Sequence, residues 1–147
     1  YYLTFILVYS IINRNEHFMY LTLIVTTLLN WVNINTTYDS KKFNVKIIEV
    51  SKEEIQNLAC KGRCPIISFY KRNEGIYITK MNFENNLCNQ SILLHEIIHA
   101  LQEEKKMENA FKEKEAYEIQ NKFLIQKSNE NYLDILTVKR CRSKQKY

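Results

Sequence analysis

His95-Glu96-Ile97-Ile98-His99 is the stretch whose reading decides this chain. On a helix, residues four apart lie about 40° from each other around the axis and one turn apart along it, so His95 and His99 can grip one metal ion. Glu96 follows the first ligand directly, where its carboxylate reaches a water beside the metal. At this composition the HExxH pattern arises by accident in roughly one chain in two hundred of this length. The flanking residues Ile92, Leu93, Leu94, Ile97, Ile98, Ala100 and Leu101 make the helix apolar nearly all round. Burying two histidines and a glutamate there without partners would cost several kcal/mol, and a bound cation offsets that cost. The bland competitor is a pair of structural histidines hydrogen-bonded to carbonyls. His17, the third histidine, has no such pairing and is expected at the surface or in a loop.

Catalytic zinc usually takes three protein ligands and keeps one place for water. Downstream, Glu113, Glu115 and Glu118 are the choices. At about 100° per residue, Glu113 shares a helix face with Ala110, Ala116, Tyr117, Gln120 and Leu124, while Glu115 and Glu118 project from the far side with Lys122. Glu113 is therefore the expected third metal ligand. Glu115 and Glu118 are expected to pair with surface lysines such as Lys122. A late or irregular start to that helix would make Glu115 the ligand instead. The chemistry that follows is hydrolysis: zinc lowers the pKa of its water, Glu96 takes the proton as general base and passes it to a leaving amine. Tyr70, Tyr77 and Tyr117 are candidates, by residue type alone, for the donor an oxyanion needs.

The wider chain fits one domain with a real core. It has 147 residues, 46% hydrophobic and 25% charged, with only 2 Gly and 1 Pro, which favours helices and ordinary loops. Phe43–Val50 reads as a strand, Ser51-Lys52-Glu53-Glu54 as a capping box opening a helix to about Ala59, and Ile66–Tyr70 with Ile76–Thr79 as a hairpin around Lys71–Gly75. Such a hairpin is either a substrate-binding edge or simply part of a sheet. Asn89 or Ser91 is the expected cap of the HExxH helix, which should run to about Glu104. A second helix is expected over Glu108–Gln126 and a weaker one over Tyr132–Val138. The fold class is thus α+β: an HExxH helix and a second ligand-bearing helix packed on a small antiparallel sheet or hairpin.

Two features bear on location. Tyr1–Ile12 and Phe18–Val32 are apolar runs separated by polar residues, and each falls short of the length of about 18 that spans a bilayer. Residues 1–18 read as a signal or anchor segment or, if the protein starts at Met19, as a non-native extension. Residues 19–138 read as the domain, its first helix carrying Leu21, Ile24, Leu28, Trp31 and Val32 at core spacing. The four cysteines point to disulfides in an oxidising compartment. Cys60 and Cys64 are spaced to close a loop around Gly62, which would leave Cys88 for Cys141, although four cysteines allow three connectivities. An exported or membrane-associated protein is favoured over a cytoplasmic one. Net charge is +5, and residues 139–147 hold five basic groups. That tail reads as a solvated terminus, and no nucleic-acid partner is expected.

The longer pattern Leu93-Leu94-His95-Glu96-Ile97-Ile98-His99-Ala100-Leu101-Gln102, followed by Glu113-x-x-Ala116-Tyr117-x-x-Gln120, resembles a small gluzincin-type zincin. More closely than gluzincins in general, it resembles an uncharacterised group of small bacterial metallopeptidase-like proteins that reads HELVHxLQ and then ExxAYxxQ. Cys60-Lys61-Gly62-Arg63-Cys64-Pro65 before a hairpin and a helix ending near Trp31 fit the same picture, so the resemblance covers roughly residues 20–127. It implies a minimal zincin-like domain with one catalytic Zn2+ held by His95, His99 and Glu113, and a peptide or protein substrate. Fewer residues separate His99 from Glu113 than in larger gluzincins. The alternative is a zincin-fold module that binds metal or a partner without turnover.

Overall fold

The structure is a computed structural model, and it describes residues 2–105, 107–130 and 141. The expected helix over Tyr132–Val138 and most of the basic tail lie outside those residues. The chain divides into two units, Tyr1–Thr37 and Tyr38–Tyr147.

The first unit is one helix, α1 (Tyr2–Asn35). It runs unbroken through the polar stretch at residues 13–17, because Arg14 and Glu16 are good helix formers and Asn and His cost only a few tenths of a kcal/mol without stopping a helix. The two apolar runs are therefore one element. Its 19-residue stretch His17–Asn35 contains an 18-residue window of mean hydropathy 1.3 and is long and apolar enough to cross a membrane. Leu28, Trp31 and Val32, at helical spacing, are buried; Phe18, Met19, Leu23 and Ile34 are exposed. His17 is exposed.

The second unit is α+β. A 3-10 turn (Ser40–Lys42) leads to β1 (Ile47–Val50), α2 (Lys52–Cys60), β2 (Ser68–Lys71), β3 (Gly75–Thr79), α3 (Leu87–Leu101), a second 3-10 turn (Gln102–Glu104) and α4 (Asn109–Glu130). Strand order is β1-β3-β2. The β2–β3 hairpin is antiparallel, as its loop requires, with Asn73 at φ 64° in the turn. However, β1 lies parallel to β3, so the sheet is mixed, not antiparallel throughout. The connection from β1 passes through α2 and β2 before β3 takes the middle position, which is the kind of crossover a parallel pair needs. Along β3, Ile76 and Ile78 are fully buried and Tyr77 and Thr79 half-buried, the alternation of a pleated strand. Gly75, at φ 149°, lets β1 come close: a Cβ there would sit 2.5 Å from the Lys46 carbonyl oxygen, which accepts the Ile76 N–H.

Ser51 caps α2 by accepting the Glu54 N–H. Lys61 and Gly62 end it at φ 55° and 80°, and the Cys60–Cys64 disulfide spans that turn. A second disulfide joins Cys88 to Cys141. Helix α3 is the centre of the unit. It packs on α4 and on the β2–β3 hairpin, and its residues Leu93, Leu94, Ile97 and Ile98 are inaccessible to solvent. Its cap is Asn86, whose side chain accepts the Asn89 N–H; neither Asn89 nor Ser91 plays that part. Both are used otherwise. The Asn89 amide donates to the Asn82 carbonyl, and the Ser91 hydroxyl donates to the Cys88 carbonyl.

Candidate metal centre

Three side chains converge where α3 faces the first turns of α4. His95 and His99 stand one turn apart on α3 with their ring planes at 81°, and both Nε2 atoms point toward α4. The two Nε2 atoms are 2.9 Å apart. Glu113 comes from α4 with Oε1 3.1 Å from His99 Nε2 and Oε2 3.5 Å from His95 Nε2. One ligand atom from each residue lies within 4.8 Å of the others. Tetrahedral zinc with bonds near 2.0–2.1 Å sets its donor atoms about 3.3 Å apart, so a single ion suits this donor set in both chemistry and spacing. His95 is nearly sealed, whereas the Glu113 side chain is 55% exposed. The cluster therefore has a closed side on α3 and an open side toward solvent, where water or substrate can enter.

The charges in this cluster reinforce one another. Hydrogen bonds from His95 and His99 hold the Glu113 carboxyl well below the usual carboxylate range. Burial pushes His99 toward its neutral form, but the hydrogen bond to Glu113 and its charge outweigh that, and the His99 pKa is raised. Glu96 lies deeper. Burial raises its pKa, against the pull of the two histidines, the Ser68 hydroxyl and the Tyr70 backbone N–H. The Ser68 hydroxyl donates to Glu96 Oε1 at 2.9 Å. The edge strand β2 thus holds the buried carboxylate through the Ser68 hydroxyl and the Tyr70 N–H.

A cleft of about 710 Å³ opens over the cluster. Residues 65–70 form one wall, and His95, Glu96, His99 and Glu113 lie along it. Of the three candidate tyrosines, Tyr70 and Tyr117 line this cleft, and the Tyr117 ring rests 4.5 Å from the His95 ring. Tyr77 is away from it: its ring stacks on Phe69 and its hydroxyl donates to Glu74 on the hairpin.

Glu115 pairs with a lysine as expected, but the lysine is Lys105. The glutamate is half-buried and accepts hydrogen bonds from Tyr38 and from Gln102, with Lys105 Nζ 3.4 Å away. Lys105 also lies 3.8 Å over the Tyr38 ring. The reason is that α4 is flanked on two sides, by α3 and by the turn Gln102–Lys105 with Tyr38, so its "far" face is not simply solvent. Burial opposes the charge on Glu115, but the Tyr38 and Gln102 hydrogen bonds prevail and its pKa is lowered. Glu118 does make an exposed pair, with Lys114 one turn earlier.

Two further residues contact the histidines and were given no role by the sequence. Gln120 Oε1 lies 3.1 Å from His95 Nδ1, and Gln102 Oε1 lies 2.9 Å from His99 Nδ1. The signal was present in spacing: Gln102 is one turn past His99, and Gln120 two turns past Glu113. Both sit inside the motif that carries the resemblance.

Residues 20–146 match a family model described as a domain of unknown function (DUF6647), and the chain belongs to that family. No curated protein and no solved structure matches it.

Proposed function

We propose that this chain is a zinc-dependent peptidase. The observation that carries the reading is the convergence of His95, His99 and Glu113 beside a buried carboxylate at the wall of an open cleft. A zinc ion held by those three residues would supply a Lewis acid for the scissile carbonyl and bring a water's pKa toward about 7. Glu96 is the general base. Burial raises its pKa, which suits a group that must take a proton from water and give it to the leaving amine. Ser68 and the Tyr70 N–H fix the orientation of its carboxylate. Among the described residues β2 is an edge strand and its residues line the cleft, so an extended peptide can pair with those backbone groups that Glu96 does not already take. Tyr70 and Tyr117 are the hydroxyls near enough to the cleft to meet an oxyanion.

We read the protein as exported or membrane-attached. Two disulfides and the apolar span His17–Asn35 support this.

The test is metal content by mass spectrometry on the purified full chain, beside His95→Ala and Glu113→Ala. The expected result is about one zinc per wild-type chain, lost or weakened in both variants. A folded wild type that takes up no metal even when zinc is added overturns the reading. Stoichiometric zinc without hydrolysis of any peptide library would leave a metal-binding module in place of an enzyme.

A further inference from the structure

We infer that Gln102 and Gln120 are positioning residues that lock both histidines in one tautomer, with hydrogen on Nδ1 and a bare lone pair on Nε2. This rests on reading His95, His99 and Glu113 as metal ligands. The two ends of a glutamine amide look alike in shape, so their assignment must come from the partners. Gln102 directs one end of its amide at the Lys112 carbonyl, 3.0 Å away, and at Glu115 Oε2, 2.8 Å away. Both are acceptors only, so that end is the NH2. The oxygen of Gln102 therefore faces His99 Nδ1. An amide oxygen donates nothing, so His99 Nδ1 carries the hydrogen.

The second arm reaches the same result by another route. Ser91 gives its single hydroxyl hydrogen to the Cys88 carbonyl, 2.8 Å away. While that bond holds, the Ser91 oxygen accepts from Gln120, whose Nε2 lies 3.2 Å off. That leaves the Gln120 oxygen on His95 Nδ1, which must carry the hydrogen.

In their neutral forms both rings thus present bare Nε2 atoms, 2.9 Å apart and facing a carboxylate. With both rings neutral no hydrogen lies among these three acceptors, and the hydrogen bonds to Glu113 described above need a ring to take up a further proton. A cation satisfies all of them together. Gln102 and Gln120 are 0% and 2% exposed, and Ser91 0%, so the arrangement is built into the core. The two arms differ in what stands behind the amide. Behind Gln102 is the charged Glu115, itself held by Tyr38; behind Gln120 are a hydroxyl and a backbone carbonyl. Groups behind a ligating imidazole commonly change metal affinity 10- to 100-fold when removed.

The experiment reads ring tautomers in the metal-free full chain, at alkaline pH, from the 15N NMR signals of the imidazoles, and zinc affinity by competition with a chromophoric chelator. In the wild type both His95 and His99 should be the Nδ1–H tautomer. Gln120→Met should release His95 into a mixture while His99 keeps its tautomer, and should weaken zinc roughly 10- to 100-fold. Gln102→Met should do the converse. Gln120→Glu keeps an acceptor on His95, with Ser91 free to turn its hydroxyl onto the new carboxylate, and should restore both tautomer and zinc affinity. It also keeps the inference open to refutation if the Met variants fail to fold. An Nε2–H tautomer on either wild-type ring overturns the inference. So does equal loss of zinc in Gln120→Met and Gln120→Glu with no change of tautomer, which would make the glutamines mere packing. Both rings as Nδ1–H in a wild type that binds no zinc would uphold the tautomer assignment and refute the metal reading instead.

Discussion

Helices α1 and α3 are both rich in apolar residues, yet they dispose of their polar side chains in opposite ways. On α1, Thr22, Thr26 and Thr27 return their hydroxyls to the carbonyls of Phe18, Thr22 and Leu23, each four residues back, and Asn35 does the same to Trp31. Each of these four side chains has a partner within its own helix. That suits any apolar surrounding and says nothing about neighbours. On α3 the partners come from elsewhere in the sequence: Ser68 for Glu96, Gln120 for His95 and for Ser91, Glu113 for both histidines. Polar groups satisfied at a distance demand that several elements be right at once. The contrast separates a polar residue tolerated by an apolar helix from one the fold is built to present.

The sharpest way to break that contrast is Glu96→Gln. The amide keeps the volume and an acceptor for Ser68 but cannot take a proton, so peptide cleavage should fall by about 10²–10⁴ while zinc stays bound. Cleavage at the wild-type rate would reduce the polar face of α3 to internal cross-links and end the mechanism proposed above. On the other helix, Leu23→Arg tests α1 at a side chain that is 62% exposed. In water such a change should move folding stability by no more than about 0.5 kcal/mol. In a bilayer an Arg at mid-span costs about 2.5–3.5 kcal/mol. Loss of the protein from the membrane fraction, with the second unit's fold unchanged, is the expected outcome; unaltered fractionation would remove the anchor reading.

A smaller effect is expected at Ser68. Ser68→Ala takes a donor from a buried carboxylate and should cost about 1–3 kcal/mol in the denaturant midpoint. The same change made in the Glu96→Gln background should cost less, because a neutral amide needs the hydroxyl less than a charge does. An equal cost in both backgrounds would mean that Ser68 matters for packing and not for holding Glu96.

What could be read from the sequence follows the same division. His95, Glu96, His99 and Glu113 sit on regular helices, where 3.6-residue periodicity alone says which side chains share a face, and the structure brings the three ligand candidates together as that periodicity suggests. Local turn chemistry was equally legible at Ser51 and at the β2–β3 loop. Pairing between elements was not. At four residues Ile47–Val50 is too short for its pattern to distinguish the continuous apolar run of a buried parallel strand from the alternation of an antiparallel one. The cap of α3 was ambiguous because Asn86, Asn89 and Ser91 all have the side chain for it, and only the position of the first turn decides. Helical angle foretells that Glu115 leaves the ligand face and meets a lysine, but not that Tyr38 and Gln102 cover that side of α4. Gln102 and Gln120 were visible as residues of a motif, but their role depends on which end of an amide meets which partner across two helices.

The smallest expected effect is Thr26→Val on α1, and its smallness is the point. Valine has threonine's shape and lacks only the hydroxyl. That hydroxyl gives its hydrogen to the Thr22 carbonyl, 2.8 Å away, on an exposed part of the helix. Deleting it leaves no buried group without a partner, so the change in stability should stay within about 0.5 kcal/mol. Ser68→Ala also deletes one hydroxyl, but there the abandoned partner is a sealed carboxylate. If thermal melts showed the two deletions to be equally costly, the distance in sequence between a polar group and its partner would carry no information. If Thr26→Val proves nearly silent and Ser68→Ala does not, the cost tracks the partner left behind and not the hydrogen bond itself. That outcome would mark α3, and not α1, as the helix whose polar residues the fold exists to arrange.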